Sequence, residues 1–512
     1  MAGNQLAAID HIVVLMLENR SFDHMLGFLY TDQGNLSPSG QAFEGLTGQE
    51  SNLDGTGAPV PVFKITTSTP NAYQMPGADP GEGYLATNGQ LFGSTTAPTP
   101  PVATNGGFVT DYAATLAWEA KDPSWHVVPG TVANDIMGIF TPEMLPVLSG
   151  LAKGFAVCDH WYSSVPTETL PNRAFACAAT SQGHMDDKTK TYTSGSIFGL
   201  LSKNNLDWRI YGYTSQPLTR LDFPDVTGAP STHFGLFKDF QAAAAAGTLP
   251  PYTFLEPEWS ATGNSQHPNY DVSKGETLIY DVYQALRGGP GWNSTLLVIT
   301  YDEHGGCYDH VAPPSGATPP DTTAGEFGFD FTRFGVRVPT VLVSPWIPAG
   351  TVFRVPVGSM PLDHTSILAT VEHRFGVPAL TLRDAAAPDV GNVLSEATPR
   401  TDDPLAGVTP PVSGSTTIPA DAPPSHLLQV NADLVAGLPV AGQHLPTSKT
   451  LAPLHTGADY TAFINHRTAQ WRAGRTATSA PPAAPPAPVR ADRALTEPAP
   501  APPAPAPPEE PG

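Results

Sequence analysis

The hydrophobic pattern of the chain is built from short unbroken apolar runs that stop abruptly at polar residues. Ile9 to Leu17 (IDHIVVLML) and Leu296 to Thr300 (LLVIT) are β-branched and nearly continuous, which predicts strands covered on both faces of a parallel sheet. Phe155 to Cys158, Trp208 to Tyr213 and Val336 to Trp346 read as further strands. Between them the apolar spacing becomes helical over 107–121, 143–152, 194–201, 234–246, 276–287 and 363–376. In the fifth of these, Leu278, Ile279, Val282, Tyr283 and Leu286 share one face and Gly288-Gly289 ends the run. Helix followed by buried strand, repeated along the chain, predicts an α/β fold with a mostly parallel sheet.

Two stretches lack a period. Residues 30–101 are Gly, Pro, Ser, Thr and Asn with scattered aromatics and predict a long, irregular, surface-covering loop. Residues 394–474 fade into Pro/Ser/Thr loops around one amphipathic piece, His426 to Leu438, and 476–512 is Ala/Pro-dominated, the composition of an extended, solvated tail. The resulting division is a catalytic domain over 1–393, in which about 185–260 is an insertion shaping a substrate pocket, a loop-rich extension over 394–475 packed on the core, and a disordered tail.

The chemistry sits where the apolar runs stop. The second run ends at Tyr301 and delivers Asp302, Glu303 and His304, then Gly305-Gly306, Asp309 and His310. The first ends in Glu18 and Asn19, with Ser21 or Asp23 placed to cap a helix. Strand ends are where open α/β sheets hold ligands, and two strand ends carrying oxygen donors predict one shared cation. Ser163 to Arg173 (SSVPTETLPNR) forms a rigid, hydroxyl-rich turn before a helix start, where developing negative charge is favoured.

The totals narrow the function. With 25 Lys and Arg against 47 Asp and Glu, the net charge of −22 repels nucleic acid and anionic lipid surfaces. Three cysteines without a CxxC pair supply no disulfide framework. The N-terminal stretch lacks a basic n-region and cleavage site, and no apolar run reaches spanning length.

Four separated motifs, ENRSFDH at Glu18 to His24, TLPNR at Thr169 to Arg173, TYDEHGGCYDHVAPP at Thr300 to Pro314 and DHTSILATVEHRFG at Asp363 to Gly376, resemble the phosphoesterase family of non-specific phospholipases C and related bacterial acid phosphatases. The resemblance implies an alkaline phosphatase-like α/β/α core and hydrolysis of phosphate esters through a phosphothreonine intermediate. The substrate would be a phospholipid cut at the glycerol side of its headgroup or a small phosphomonoester. A non-catalytic binding protein on the same fold is the alternative of another class. By this resemblance Glu18, Asn19, Asp302 and Glu303 hold a divalent metal together with Thr169, the nucleophile, with Thr167 as its neighbouring competitor. An all-oxygen set favours Mg²⁺ or Ca²⁺, with Zn²⁺ still admissible. Histidine must move the protons: His267 comes first by family position, followed by His304, His233 and His126, while Asp309 and His310 are expected to support the ligands. His364, at the first turn of the helix over 363–376, has both a structural and a site reading. Family members are often secreted or periplasmic, and the oligomeric state is left open.

Overall fold

A computed structural model describes residues 4–121, 126–188, 192–414, 424–438, 440 and 454–476. The expected Ala/Pro tail lies outside the described residues, apart from Thr476. Eight strands form the main sheet: β1 (His11–Leu17), β2 (Ala156–Val157), β3 (Trp208–Gly212), β4 (Phe234–Leu236), β5 (Tyr252–Leu255), β6 (Thr295–Tyr301), β7 (Val341–Val343) and β8 (Thr351–Val352). Their spatial order is β8-β2-β7-β6-β1-β5-β3-β4. Every pairing is parallel except those of β7 with β6 and β2, so β7 alone runs against the rest. Its run was expected to extend from Val336 to Trp346. Only three residues pair as strand, because Pro339 and Pro345 each lack the N–H that a ladder requires.

The two central strands explain the sheet. All seven residues of β6 are buried, as are six of seven in β1, and each apolar side chain buried this way stabilises the fold by roughly 1.5–3 kcal/mol. The covering helices fall into two groups. Pro146–Gly154 and Phe237–Ala246 pack against Val272–Arg287, whereas Thr365–Phe375 and Ile197–Lys203 pack against Thr169–Ala178. With strands dry on both faces, this is the expected three-layer α/β arrangement.

The stretch 185–260 differs from its expectation as an insertion. It supplies β3, β4 and β5, three of the seven strands that run the same way, and its residues Phe198, Trp208, Tyr252 and Phe254 pack together in the core. Residues 30–101 are likewise more ordered than their composition suggests and contain the helix Tyr84–Phe92. In the extension, the amphipathic piece forms the helix His426–Ala436. It buries Leu427, Leu428 and Val435 in a small apolar cluster with Leu170, Leu218 and Trp259. All three cysteines are free and buried.

A buried ion network ties the first strand end to the loop after β6. Ser21 accepts from the His24 N–H and caps the short helix Phe22–Leu26. Arg337, wholly buried, donates to Asp23 at 2.8 Å and to both oxygens of Asp309 at 3.0 and 3.2 Å. His310 Nδ1 lies 2.6 Å from Asp23 Oδ2. Two carboxylates and one guanidinium leave one negative charge over, which His310 would balance when protonated. Burial pulls the imidazole down, but the hydrogen bond and charge of Asp23, with Asp309 behind it, raise it overall.

Two outcomes follow. Arg337→Met strands two buried carboxylates and should cost about 3–5 kcal/mol in urea denaturation. A raised histidine stabilises the fold below its unfolded value, near 6.5, and loses that contribution as pH climbs through the folded value. The thermal midpoint of wild type should therefore exceed that of His310→Gln by more at pH 5.5 than at pH 8.5; an equal gap at both would mean His310 is neutral throughout.

Candidate active site

Parallel pairing of β1 with β6 puts Leu17 opposite Tyr301, so the residues that follow, Glu18-Asn19 and Asp302-Glu303, emerge side by side at the carboxyl edge of the sheet. Asn19 adopts a left-handed conformation (φ 54°), which asparagine tolerates better than other non-glycine residues. Gly305 (φ 60°) must be glycine, since a Cβ there would lie 2.0 Å from the Asn19 carbonyl oxygen. Asp302 fixes the geometry: its Oδ1 accepts the Asn19 and Glu303 N–H groups at 3.0 and 2.8 Å, and its Oδ2 accepts Arg173 Nε at 2.8 Å.

Thr169 opens the helix Thr169–Ala178 and is almost fully buried. Its hydroxyl donates to Asn19 Oδ1 at 3.1 Å. Thr167, two residues earlier, instead donates to the Met185 carbonyl at 2.7 Å. Of the two hydroxyls, Thr169 faces the strand ends and Thr167 is engaged with the backbone. Arg173, one turn further along the helix, also donates through Nη2 to the Met16 and Leu17 carbonyls, and its Nη1 is buried with no acceptor.

Glu18, Asn19, Thr169, Asp302 and Glu303, the expected site residues, lie at these two strand ends and at the adjoining helix start. Further acids join them. Glu82, from the loop before Tyr84–Phe92, accepts from Asn19 Nδ2 at 2.5 Å. Asp187 accepts the Leu170 N–H at 2.7 Å, and Glu168 accepts the Asp187 N–H at 2.5 Å. Asp79 approaches His267 Nε2 at 3.6 Å. Glu82 is influenced by Asp79, Glu303, Asp187 and Glu168, and Asp187 by Asp302 and Glu18, so these seven carboxylates form one electrostatic basin. Burial first, and mutual repulsion second, drive Glu82 and Glu303 well above the usual carboxylate range. Burial pushes Glu18 up to about 7 against the pull of His267, and Asp79 up to about 7 against those of His426 and Arg20.

Whether a cation fits can be read from the donors. Glu18 Oε2 and Glu303 Oε1 are buried oxygens without any hydrogen-bond donor, and Asp302 Oδ2 accepts a single hydrogen bond, leaving it a free lone pair. With Asn19 Oδ1 and Thr169 Oγ1 these are oxygen donors of the kind a hard divalent ion takes. Beside the set, Asp79, Glu82, Asp111, Glu119, Glu168 and Trp118 help line a cavity of about 390 Å³.

The four histidines separate. His304 is buried between Glu303 Oε2 (3.1 Å) and Gln90 Oε1 (2.7 Å), and burial pulls it down to about 3, which makes it a fixture of Glu303. His233 stacks on Trp208 and bonds its carbonyl at the start of β3, the edge of the sheet opposite the site; the alternation of strand and loop gave no sign of which edge it would occupy. His126 meets the site loop through its carbonyl, which accepts from Asn269 Nδ2. Two of the four present a ring nitrogen to the basin, His304 to Glu303 and His267 to Asp79, and His304 is held on its other side by Gln90. His364 donates through Nε2 to the Asp302 carbonyl at 2.6 Å, and Asp309 and His310 belong to the Arg337 network.

The relatives of the chain give first a class. It is 39% identical over 416 residues to non-specific phospholipase C6 of Arabidopsis thaliana, covering 78% of this chain and 74% of that protein. It is 27% identical over 441 residues to phospholipase C A of Mycobacterium tuberculosis, covering 77% and 78%. Among solved structures, a protein in the alkaline phosphatase superfamily from Vibrio parahaemolyticus overlaps 48% of this chain and 64% of that one at 13% identity and a TM-score of 0.29, too partial an overlap to bear on the site. The protein is a phosphoric ester hydrolase. Residues 9–378 match the phosphoesterase family, and the chain belongs to it.

Gly305→Ala tests the packing of the strand ends. Displacing Asn19 by the width of a methyl group should lower the hydrolysis of p-nitrophenyl phosphate by roughly 10²-fold while the circular dichroism spectrum is kept; an unchanged rate would show that the Gly305–Asn19 contact does not position the site.

Proposed function

We propose that this protein cleaves phospholipids in the manner of a phospholipase C, at the glycerol side of the phosphate, with Thr169 as nucleophile and a divalent cation held by Glu18, Asn19, Asp302 and Glu303. One observation carries the reading: the Thr169 hydroxyl, at a helix N-terminus, is hydrogen-bonded to Asn19 Oδ1 beside buried oxygens that lack donors and a buried guanidinium nitrogen that lacks an acceptor. The named relatives are phospholipases C, which supports a phospholipid substrate. Among the described residues no helix is long and apolar enough to cross a membrane.

Bound there, a divalent ion would supply positive charge to an otherwise repulsive basin and favour the ionised hydroxyl. The chain does the rest. Helix Thr169–Ala178 aims Oγ1 outward from its first position, and Asn19 fixes its direction. Arg173, held by Asp302 and two carbonyls, offers Nη1 to a phosphoryl oxygen. An Oγ1–P bond forms as the bond from phosphorus to the glycerol oxygen breaks, and the threonine proton ends on that leaving oxygen. Water then adds hydroxide to phosphorus, releases the phosphorylated headgroup and returns a proton to Oγ1.

Thr169→Ala should reduce release of phosphocholine from phosphatidylcholine micelles by at least about 10³-fold with an unchanged thermal midpoint. Thr167→Ala should retain most activity, and acid-quenched wild type should carry the phosphorylated headgroup on the peptide containing Thr169. Full turnover by Thr169→Ala would remove Thr169 from the chemistry, and inactivity of wild type on micelles but not on p-nitrophenyl phosphate would make the protein a phosphatase of soluble esters.

A further inference from the structure

The oxygen set described above leaves a second cluster unexplained. Ligand-capable atoms of Asp79, Glu82 and His267 lie within 4.8 Å of one another, although these residues come from two loops about 190 positions apart in sequence. Among the described residues only one other such trio occurs, Asp23, Asp309 and His310, and there the Arg337 guanidinium already fills the centre. At Asp79, Glu82 and His267 the nearby donors are the Asn19 amide, which bonds Glu82 Oε2, and the Arg20 guanidinium, which bonds the His267 carbonyl and not its ring. Asp79 Oδ1 is buried without a hydrogen-bond partner. Glu303, fully buried, is within hydrogen-bonding reach of Glu82 and keeps Oε1 without a donor.

The imidazole adds the decisive geometry. His267 Nδ1 lies 2.9 Å from the Pro268 carbonyl oxygen, which can only accept, so Nδ1 carries the hydrogen. In the neutral ring Nε2 therefore points a lone pair at Asp79 Oδ1, 3.6 Å away. A lone pair facing a carboxylate oxygen is repulsive when nothing lies between them and strongly attractive when a cation does. Three ligands of this kind, converging beside a 390 Å³ cavity that Asp79 and Glu82 themselves line, are arranged for an ion.

We propose that Asp79, Glu82 and His267 hold a second divalent cation, adjoining the set formed by Glu18, Asn19, Asp302 and Glu303, with Glu303 standing between the two. Nitrogen among the ligands shifts preference from Mg²⁺ and Ca²⁺ towards Mn²⁺ or Zn²⁺. The two sets are joined through Asn19, which accepts from the nucleophile with Oδ1 and donates to Glu82 with Nδ2. The second ion alters the duty of His267: a nitrogen that ligates carries no proton, and charge on the departing glycerol oxygen is stabilised by the ion in its place. The inference rests on the proposed function only for the first ion.

Metal-stripped full-length protein, equilibrated with Mn²⁺ and counted by elemental mass spectrometry, should carry two ions per chain. Asp79→Asn combined with Glu82→Gln should keep one, and Glu18→Gln combined with Asp302→Asn should also keep one. His267→Gln should weaken one of the two dissociation constants at least tenfold in titrations followed by electron paramagnetic resonance. If a double variant fails to fold, Glu82→Gln alone is used. A single ion in wild type, unaffected by Asp79→Asn with Glu82→Gln, overturns the site. Two ions on a chain that hydrolyses no ester would leave the site standing and sink the proposed function; hydrolysis with one ion would do the reverse.

Discussion

The rest of this structure depends on compensating the negative charge gathered at the carboxyl edge of the sheet. Seven carboxylates crowd around Asn19, and the nearest full positive charge, Arg173, is bonded to one of them. Opposite signs at such distances in a medium of low effective dielectric interact by several kcal/mol, and like signs repel as strongly. Burial raises the carboxyls of Glu18, Asp79, Glu82 and Glu303, and for Glu82 and Glu303 the neighbouring carboxylates add to it. A phosphate diester, itself anionic, would be turned away from such a basin. Cations held there, as proposed above, would offset that repulsion.

Two buried arginines show how the fold distributes this burden. Arg337 matches Asp23 and Asp309 directly, and the resulting network is a strut: it holds the loop after β6 against the helix after β1 and leaves no valence for a ligand. Arg173 matches Asp302 with Nε alone, ties the end of β1 with Nη2, and keeps Nη1 unengaged. The difference lies in where each guanidinium approaches. Arg337 spends Nε and Nη2 on the two carboxylates and Nη1 on the Glu44 and Asp159 carbonyls, whereas Arg173, reaching from helix Thr169–Ala178, leaves Nη1 without an acceptor.

Much of this was legible in the chain. Unbroken β-branched runs gave β1 and β6, and parallel pairing of two such strands necessarily sets Glu18-Asn19 beside Asp302-Glu303. Thr169 was legible from its motif, and its preference over Thr167 has a physical counterpart in the bond from Thr167 to Met185. Asp79 and Glu82 were not legible. They lie in a Pro/Gly stretch, ADPGEG, whose lack of period signals a loop and says nothing of where a loop lands. The segment at 208–212 is legible as a strand but not as a member of the main sheet, and that at 252–255 is not legible as a strand, because a segment's place in a sheet is a long-range fact that local alternation does not contain. His233 shows the same limit, since its position relative to the site depends on which edge of the sheet its strand begins.

Asn19 condenses the logic of the site. Its left-handed backbone conformation turns the side chain back over the strand end, where one group must accept from the Thr169 hydroxyl and another must donate to Glu82. Aspartate could adopt the same backbone, but it would bring an eighth negative charge and could donate to nothing when ionised. Glutamine could make both bonds only by placing its amide one methylene further out, away from the helix terminus that fixes Thr169. An amide of this length is the one side chain that accepts on one side, donates on the other and adds no charge to a basin already burdened with it. Thr169 and Glu82 are held together by the single neutral group between them.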